Sequence, residues 1–398
     1  MDITIQPGKL SGTIAAIPSK SQAHRLLICA AFANSDTTLV CPETNRDIEA
    51  TVDCLNALGA QIIRTEQGYK IDPISKIPHQ AVLNCCESGS TLRFMLPIVG
   101  AMGVDATFLM EGRLPHRPLS PLWEEMERMG CALSRPTENT LRCQCRLKNG
   151  DFSIPGNVSS QFITGLLFAA ALMEGSTQIN ITGKLESAPY VTMTQDAMAL
   201  FGVKTDDFHI KGGQHFHTPG YITVEGDWSN AAFWLAAPAL GSNLNVTNLN
   251  YRSSQGDAAV IELLSALNNF SVIDVTHTPD LVPILAIVAG AKKGANFTNC
   301  ARLRLKETDR LVTTAAMINN LGGKATIDGD RLIVEGTGYR GGTVDALNDH
   351  RIAMSAAIAA TVCREPVTVL NAHEVKKSYP GFWEDYKKLG GNYELYLR

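Results

Sequence analysis

A chain of 398 residues, 45% hydrophobic and 19% charged, is too long for one ordinary core and implies two domains. A formal net charge of -4 argues against a nucleic-acid surface, so any anion binding must be local. No uninterrupted apolar run reaches the ~18 residues of a membrane span, and FITGLLFAAALM reads as a buried helix. The opening MDITIQPGKLSG lacks the apolar stretch of a signal peptide, which predicts a cytoplasmic protein. None of the ten cysteines follows C-x-x-C spacing, and Cys29, Cys54, Cys131 and Cys363 sit in apolar patterns expected to hold reduced core thiols.

Along the chain a helix exit recurs at Gly59, Gly130, Gly202, Gly322 and Gly390, each followed by strand-like alternation. SALNNFSVI supplies a sixth copy with Asn269 in the place of the glycine. Three copies precede residue 220 and three follow, so the chain divides into two similar halves of repeated α/β units. The stretch 211–220, KGGQHFHTPG, and the early GTIAAIPSKS read as crossovers, which could place the first strand with the second half.

Basic residues gather where helices begin. SKSQAHRLLICAAFA offers Ser19 or Ser21 as a cap, with Ser21 and Arg25 on one helical face and Lys20 beside them. ESGSTLRFML brings Gly89 and Arg93 to a helix start, LPHRPLSPL carries Arg117 in a loop, and VSSQF sets Ser159, Ser160 and Gln161 at the mouth of a buried helix. In the second half, RLRLKETDRL places Lys306 and Arg310 four apart on a predicted helix face, with Glu307 offset and Thr308 or Asp309 as cap. NDHRIAM sets His350 and Arg351 before a helix, KKSYP sets Lys377 in a turn, and Asp280 opens the helix of HTPDLVPIL either as a simple cap or as a proton carrier. Repeated at one architectural position, these clusters imply a cation-lined site for a small, highly anionic ligand or two such ligands.

SKSQAHR, ESGSTLR, HRPLSPL, VSSQF, SAPY, VEGDWSNAAF, SQGD, HTPD, LKETDR, NDHRIAM and KKSYP occur together in an order and spacing that resembles the EPSP synthase family, from about residue 7 to residue 390. The resemblance implies a two-domain inside-out α/β barrel of six βαβαββ-type units, three per domain. Residues 1–18 and 226–398 would form one domain and 19–225 the other, with substrates in a cleft that closes on them. It implies an enolpyruvyl transferase of the shikimate pathway, moving the 1-carboxyvinyl group of phosphoenolpyruvate to the 5-hydroxyl of shikimate 3-phosphate without metal or cofactor, and a monomer.

By the same matching, Lys20, Ser21, Arg25, Ser159, Ser160, Gln161, Ser187, Tyr190, Asp280, Arg302 and Lys306 would surround shikimate 3-phosphate. Arg302 stands where some members carry Asn. Lys20, Gly89, Arg93, Arg117, Gln161, Arg310, Arg351 and Lys377 would hold phosphoenolpyruvate, with His350 near its reacting end. Asp280, Glu307, Lys20 and His350 are the implied catalytic residues. Glu87 replaces an Asn common in the family, and a paired carboxylate is expected there, with Lys20 or Arg117 as partner.

Three other readings meet obstacles. UDP-N-acetylglucosamine enolpyruvyl transferases use a cysteine before the Arg117 motif, and no cysteine occurs between Cys86 and Cys131. GTGYRG at 336–341 fits G-x-G-x-x-G, but no helix pattern follows it. A non-catalytic anion-binding repeat protein would not need carboxylates placed among the cations.

Overall fold

A computed structural model describes residues 1–396, with the backbone alone at Cys145. The chain forms two compact units, Met1–Ile17 with Gly226–Arg398, and Pro18–Glu225. The stretch 211–220 is no crossover. It lies inside the second of these units, where His209–Lys211 pairs with Ser176–Thr182 and Tyr221–Thr223 pairs with Thr37–Val40.

Among the described residues each unit holds three sheets. In the Pro18–Glu225 unit, Gln80–Asn84 and Asp105–Leu109 are parallel across the helix Gly89–Met102, and Thr140–Cys145 and Cys131–Ser134 complete the sheet antiparallel. Ser271–Asp274, Ala295–Thr298, Arg331–Glu335 and Lys324–Asp328 repeat that order in the other unit. The N-terminal strand Asp2–Ile5 inserts antiparallel between Val367–Leu370 and Tyr393–Tyr396, and Ile3 and Ile5 are fully buried. That insertion makes the unit discontinuous in sequence. Two copies are truncated, to three strands around Ser176–Thr182 and to the parallel pair Ser11–Ala15 with Asn243–Thr247.

Gly59, Gly130, Gly202, Gly322 and Gly390 all have positive φ, which reverses the chain from helix to strand without a Cβ clash. Asn269 does not share that conformation. The helix Val260–Ala266 instead tightens into turns in which the N–H groups of Asn268 and Asn269 donate to the carbonyls of Ser265 and Ala266. Cys29, Cys54 and Cys363 are reduced and buried, and burial pushes the Cys363 thiol up to about 12. Cys131 is disulfide-bonded, contrary to the reduced thiol expected. The antiparallel register sets position 131 opposite position 145, a relation invisible in local spacing.

The helices that carry the helix-start clusters are nearly all apolar and buried on every side, as in Gly89–Met102, Ser160–Leu172, Val282–Ala291 and His350–Ala359. Helix Ser160–Leu172 lies so close to Gly89–Met102 that a Cβ on Gly165 would sit 2.3 Å from the Arg93 carbonyl oxygen. Gly165→Ala gains about 1 kcal/mol of helix propensity, but a clash with backbone outweighs it and should cost about 1–3 kcal/mol net. Thermal unfolding checks this, and an unchanged or raised midpoint contradicts it.

Candidate active site

In the Pro18–Glu225 unit the N-cap Ser19 accepts from the Gln22 N–H and starts the helix Lys20–Ala31. Lys20 is paired with Asp47 at 2.8 Å, Asp47 lying in the first turn of the helix Arg46–Ala57. One turn on, Arg25 is 2% exposed and donates to the Ser21 carbonyl at 2.6 Å, the Tyr190 carbonyl at 2.9 Å, Thr194 Oγ1 at 2.8 Å and Thr164 Oγ1 at 3.3 Å. All four acceptors are neutral, and among the described residues no carboxylate pairs with it. Burial pulls its pKa down to about 10, still well above neutrality.

A second cationic point forms at the start of Gly89–Met102, capped by Ser88. A Cβ on Gly89 would lie 2.7 Å from Nη1 of both Arg93 and Arg117, so the missing side chain is what lets two guanidinium groups reach one helix start. Gln161 Oε1 accepts from Arg93 at 2.8 Å and its Nε2 donates to Ser90 Oγ at 2.9 Å. Ser159 caps Ser160–Leu172. Ser187, 2% exposed, is held at φ 53°, a left-handed conformation that costs energy in a serine and marks a constrained position.

Glu87 is half-buried and accepts from the Arg113 N–H at 3.3 Å, and Lys20 pairs with Asp47 at 2.8 Å.

In the other unit the centre is Arg310, 1% exposed. Its Nε donates to Asp349 at 2.8 Å, Nη1 to Asp280 at 2.6 Å and Nη2 to Glu307 at 2.5 Å. Asp280 also pairs with Lys306 at 3.0 Å and Arg351 at 3.4 Å. Burial opposes ionisation of Asp280, and the Arg351, Lys306 and Arg310 charges outweigh it, holding the carboxyl well below its ordinary range. Burial likewise lowers the Lys306 ammonium, with Asp280 offsetting part of the effect.

Several expectations about this cluster change. Asp280 lies in the short turn Pro279–Leu281 and is no cap; it is an ion-pair hub. Lys306 lies outside the helix Arg310–Asn320, which Asp309 caps, so Lys306 and Arg310 do not share a helix face and meet through Asp280 instead. His350 and Arg351 are the first residues of their helix and not residues before it. Lys377 ends the turn Ala372–Lys377 and donates to Asn348 Oδ1 at 2.6 Å, and Arg302 lies in the turn Ala301–Leu305.

The sequence reading missed three acids. Asp349, fully buried, caps His350–Ala359 and clamps Arg310; its place before an apolar helix signals a cap, but the clamp spans 39 residues. Asp47 has no signal beyond an acid in a first turn. Asp257, within SQGD, is 1% exposed and accepts from Ser229 Oγ.

Burial, then the nearby Asp280 charge, raises the Asp257 pKa from 3.8 to about 6, against the opposing pull of Arg351. The folded state therefore holds this proton more tightly than the unfolded chain, and stability falls as pH rises from about 4 to about 6. Asp257→Asn escapes that loss, so its advantage over the parent should grow by about 1–3 kcal/mol across this window. Urea unfolding at pH 4, 5, 6 and 7 measures it, and a difference that stays flat or shifts toward the parent contradicts it.

The family model for EPSP synthase (3-phosphoshikimate 1-carboxyvinyltransferase) matches residues 5–386. A Clostridium acetobutylicum protein named 3-phosphoshikimate 1-carboxyvinyltransferase is 40% identical, covering 98% of this chain and 97% of its own. One of the same name from Clostridium perfringens is 40% identical, covering 98% of both chains. In fold, the chain matches an EPSP synthase of Acinetobacter baumannii with a TM-score of 0.81 at 23% identity, over 99% of this chain and 100% of that one. It matches the enolpyruvyl transferase NikO of Streptomyces tendae with a TM-score of 0.77 at 15% identity, over 99% and 98%. With cation-bearing helix starts in both units and a family match across nearly its whole length, the chain belongs to the EPSP synthase family.

Proposed function

We propose that this protein transfers the 1-carboxyvinyl group of phosphoenolpyruvate to the 5-hydroxyl of shikimate 3-phosphate and releases phosphate. The observation that carries the reading is the convergence of Arg93 and Arg117 on Gly89 at one helix start. Two like charges gathered with a helix dipole suit a dianion, and planar guanidinium forks suit phosphate and carboxylate. Lys20, Gly89, Arg93, Arg117 and Gln161 would hold phosphoenolpyruvate, together with Arg351, Lys377 and Arg310, the last exchanging one carboxylate partner for the ligand. Lys20, Ser21, Arg25, Ser159, Ser160, Gln161, Ser187, Tyr190, Asp280, Arg302 and Lys306 would bind shikimate 3-phosphate.

The chemistry requires two proton movements. The phosphoenolpyruvate methylene takes a proton and becomes a methyl group as the 5-hydroxyl oxygen bonds to C2 and gives up its own proton. The resulting ketal expels phosphate, and a methyl proton leaves to restore the double bond. A carboxylate held ionised, as Asp280 is by three cations, suits acceptance of the hydroxyl proton; Glu307, with Lys20 assisting, would serve the methylene, and His350 the reacting end. Asp280 cannot be a strong base while all three cations face it, so the anionic substrates would draw Lys306 and Arg351 partly away as they bind.

Phosphate release from phosphoenolpyruvate should require shikimate 3-phosphate and should not occur with UDP-N-acetylglucosamine. Release with the nucleotide sugar, or with neither acceptor, contradicts the reading. Arg117→Lys loses the planar fork and should weaken phosphoenolpyruvate binding about tenfold; unchanged kinetics remove Arg117 from that role. Glu87→Asn removes a negative charge beside the helix start and should lower the KM for phosphoenolpyruvate about two- to fivefold. A constant that holds or rises shows that Glu87 does not oppose the ligand.

A further inference from the structure

His24, Thr51, Thr91 and Ser88 form a buried chain of hydrogen bonds through three helices. His24 Nδ1 lies 2.7 Å from Thr51 Oγ1, Thr51 Oγ1 lies 2.8 Å from Thr91 Oγ1, and Thr91 Oγ1 donates to Ser88 Oγ at 2.7 Å. All four residues are fully buried. Ser88 is the residue whose side chain caps Gly89–Met102, accepting from the Thr91 N–H.

The direction of the chain follows from counting protons. A threonine hydroxyl has one hydrogen to give. Thr91 spends its hydrogen on Ser88, so in the contact between the threonines Thr51 is the donor. Thr51 then has none left for His24, and the imidazole must donate from Nδ1–H. Nε2 is thereby the bare acceptor nitrogen, and it has no hydrogen-bond partner among the described residues. A second fact agrees: burial, then the Lys20 and Arg25 charges, hold His24 well below its ordinary pKa, so the ring is neutral and carries a single N–H.

We infer that His24, fixed as the Nδ1–H tautomer, is a positioning residue that acts through Thr51 and Thr91 to orient the Ser88 cap, and so sets the helix start where Gly89, Arg93 and Arg117 meet. The phosphoenolpyruvate part of this inference rests on the function proposed above; the tautomer does not. Two helical pairings run side by side, Lys20 with Asp47 and, one turn deeper, His24 with Thr51. Cutting the deeper one leaves the ion pair in place. Without the Thr51 hydroxyl, Thr91 has an alternative acceptor in the Asp47 carbonyl at 3.5 Å, and a turn of its hydroxyl toward it releases Ser88.

The test has a spectroscopic and a kinetic arm. In the 15N-histidine-labelled protein at pH 7.5, the signals lost in His24→Gln should show a pyrrole-type Nδ1 and a pyridine-type Nε2. The reverse pattern or an imidazolium overturns the assignment, and this arm needs no folded variant of Thr51. Thr51→Val keeps the shape and removes the hydroxyl; it should raise the KM for phosphoenolpyruvate about three- to tenfold, with that for shikimate 3-phosphate within about twofold, and Thr51→Ser should restore the parent value. Equal change in both constants, no change in either, or failure of the serine to restore binding makes the chain merely structural and overturns the positioning role. If the unaltered protein transfers no enolpyruvyl group, the functional reading and the phosphoenolpyruvate part fall together, while the tautomer is still decided by the spectrum.

Discussion

A guanidinium ion stripped of water must have its charge and its N–H groups matched by the protein, and Arg310 meets that demand with Asp280, Glu307 and Asp349. The clamp joins the turn Pro279–Leu281, the helix Arg310–Asn320 and the cap of His350–Ala359 at one point. Asp349 serves two duties there, since the carboxylate that accepts from Arg310 also accepts from the Arg351 N–H and begins the next helix. The cluster fixes two candidate proton carriers in place, and it does so at a cost, because a carboxylate surrounded by cations is a weak base until those cations find other partners.

The two units solve the helix-start problem with different charge balance. Around Arg310, three cations, Lys306, Arg310 and Arg351, face the acids Asp280, Glu307 and Asp349. In the Pro18–Glu225 unit, Arg25 is bound by neutral oxygens alone, and Arg93 and Arg117 meet at a glycine. Guanidinium groups gathered at helix starts in one unit and carboxylates held among cations in the other are complementary parts for a reaction that binds anions and moves protons. The glycines make this possible at backbone level: Gly165 lets two buried helices approach, and Gly89 leaves room for two guanidinium groups.

Much of this was legible because caps, glycines and charge at helix starts are local signals. Ser19, Ser88 and Ser159 cap the helices that their motifs open, and five helix exits carry the left-handed glycine read from the sequence. The failures came where local pattern and tertiary contact diverge. Lys306 and Arg310 have helical spacing but no common helix, and what joins them is Asp280, some 26 and 30 residues earlier in the chain. Asp349 was missed because nothing in NDHRIAM announces a distant arginine. Cys131 fitted a buried-thiol pattern, yet it is disulfide-bonded. Asn269 resembled a glycine substitute, yet tight turns ended that helix without a positive φ.

The proposed function requires carboxylates among these cations to carry out addition and then elimination at phosphoenolpyruvate, through an intermediate with a methyl group. Transfer run in D2O and read by mass spectrometry of the product's vinyl group tests this most directly. Deuteron addition from an exchangeable acid makes a CH2D group, and because methyl rotation makes its three hydrogens equivalent, loss of one of them leaves deuterium in the vinyl methylene of most product molecules. A product formed at full rate with no deuterium at that carbon would contradict the account, because the enolpyruvyl group would then have moved without ever being protonated.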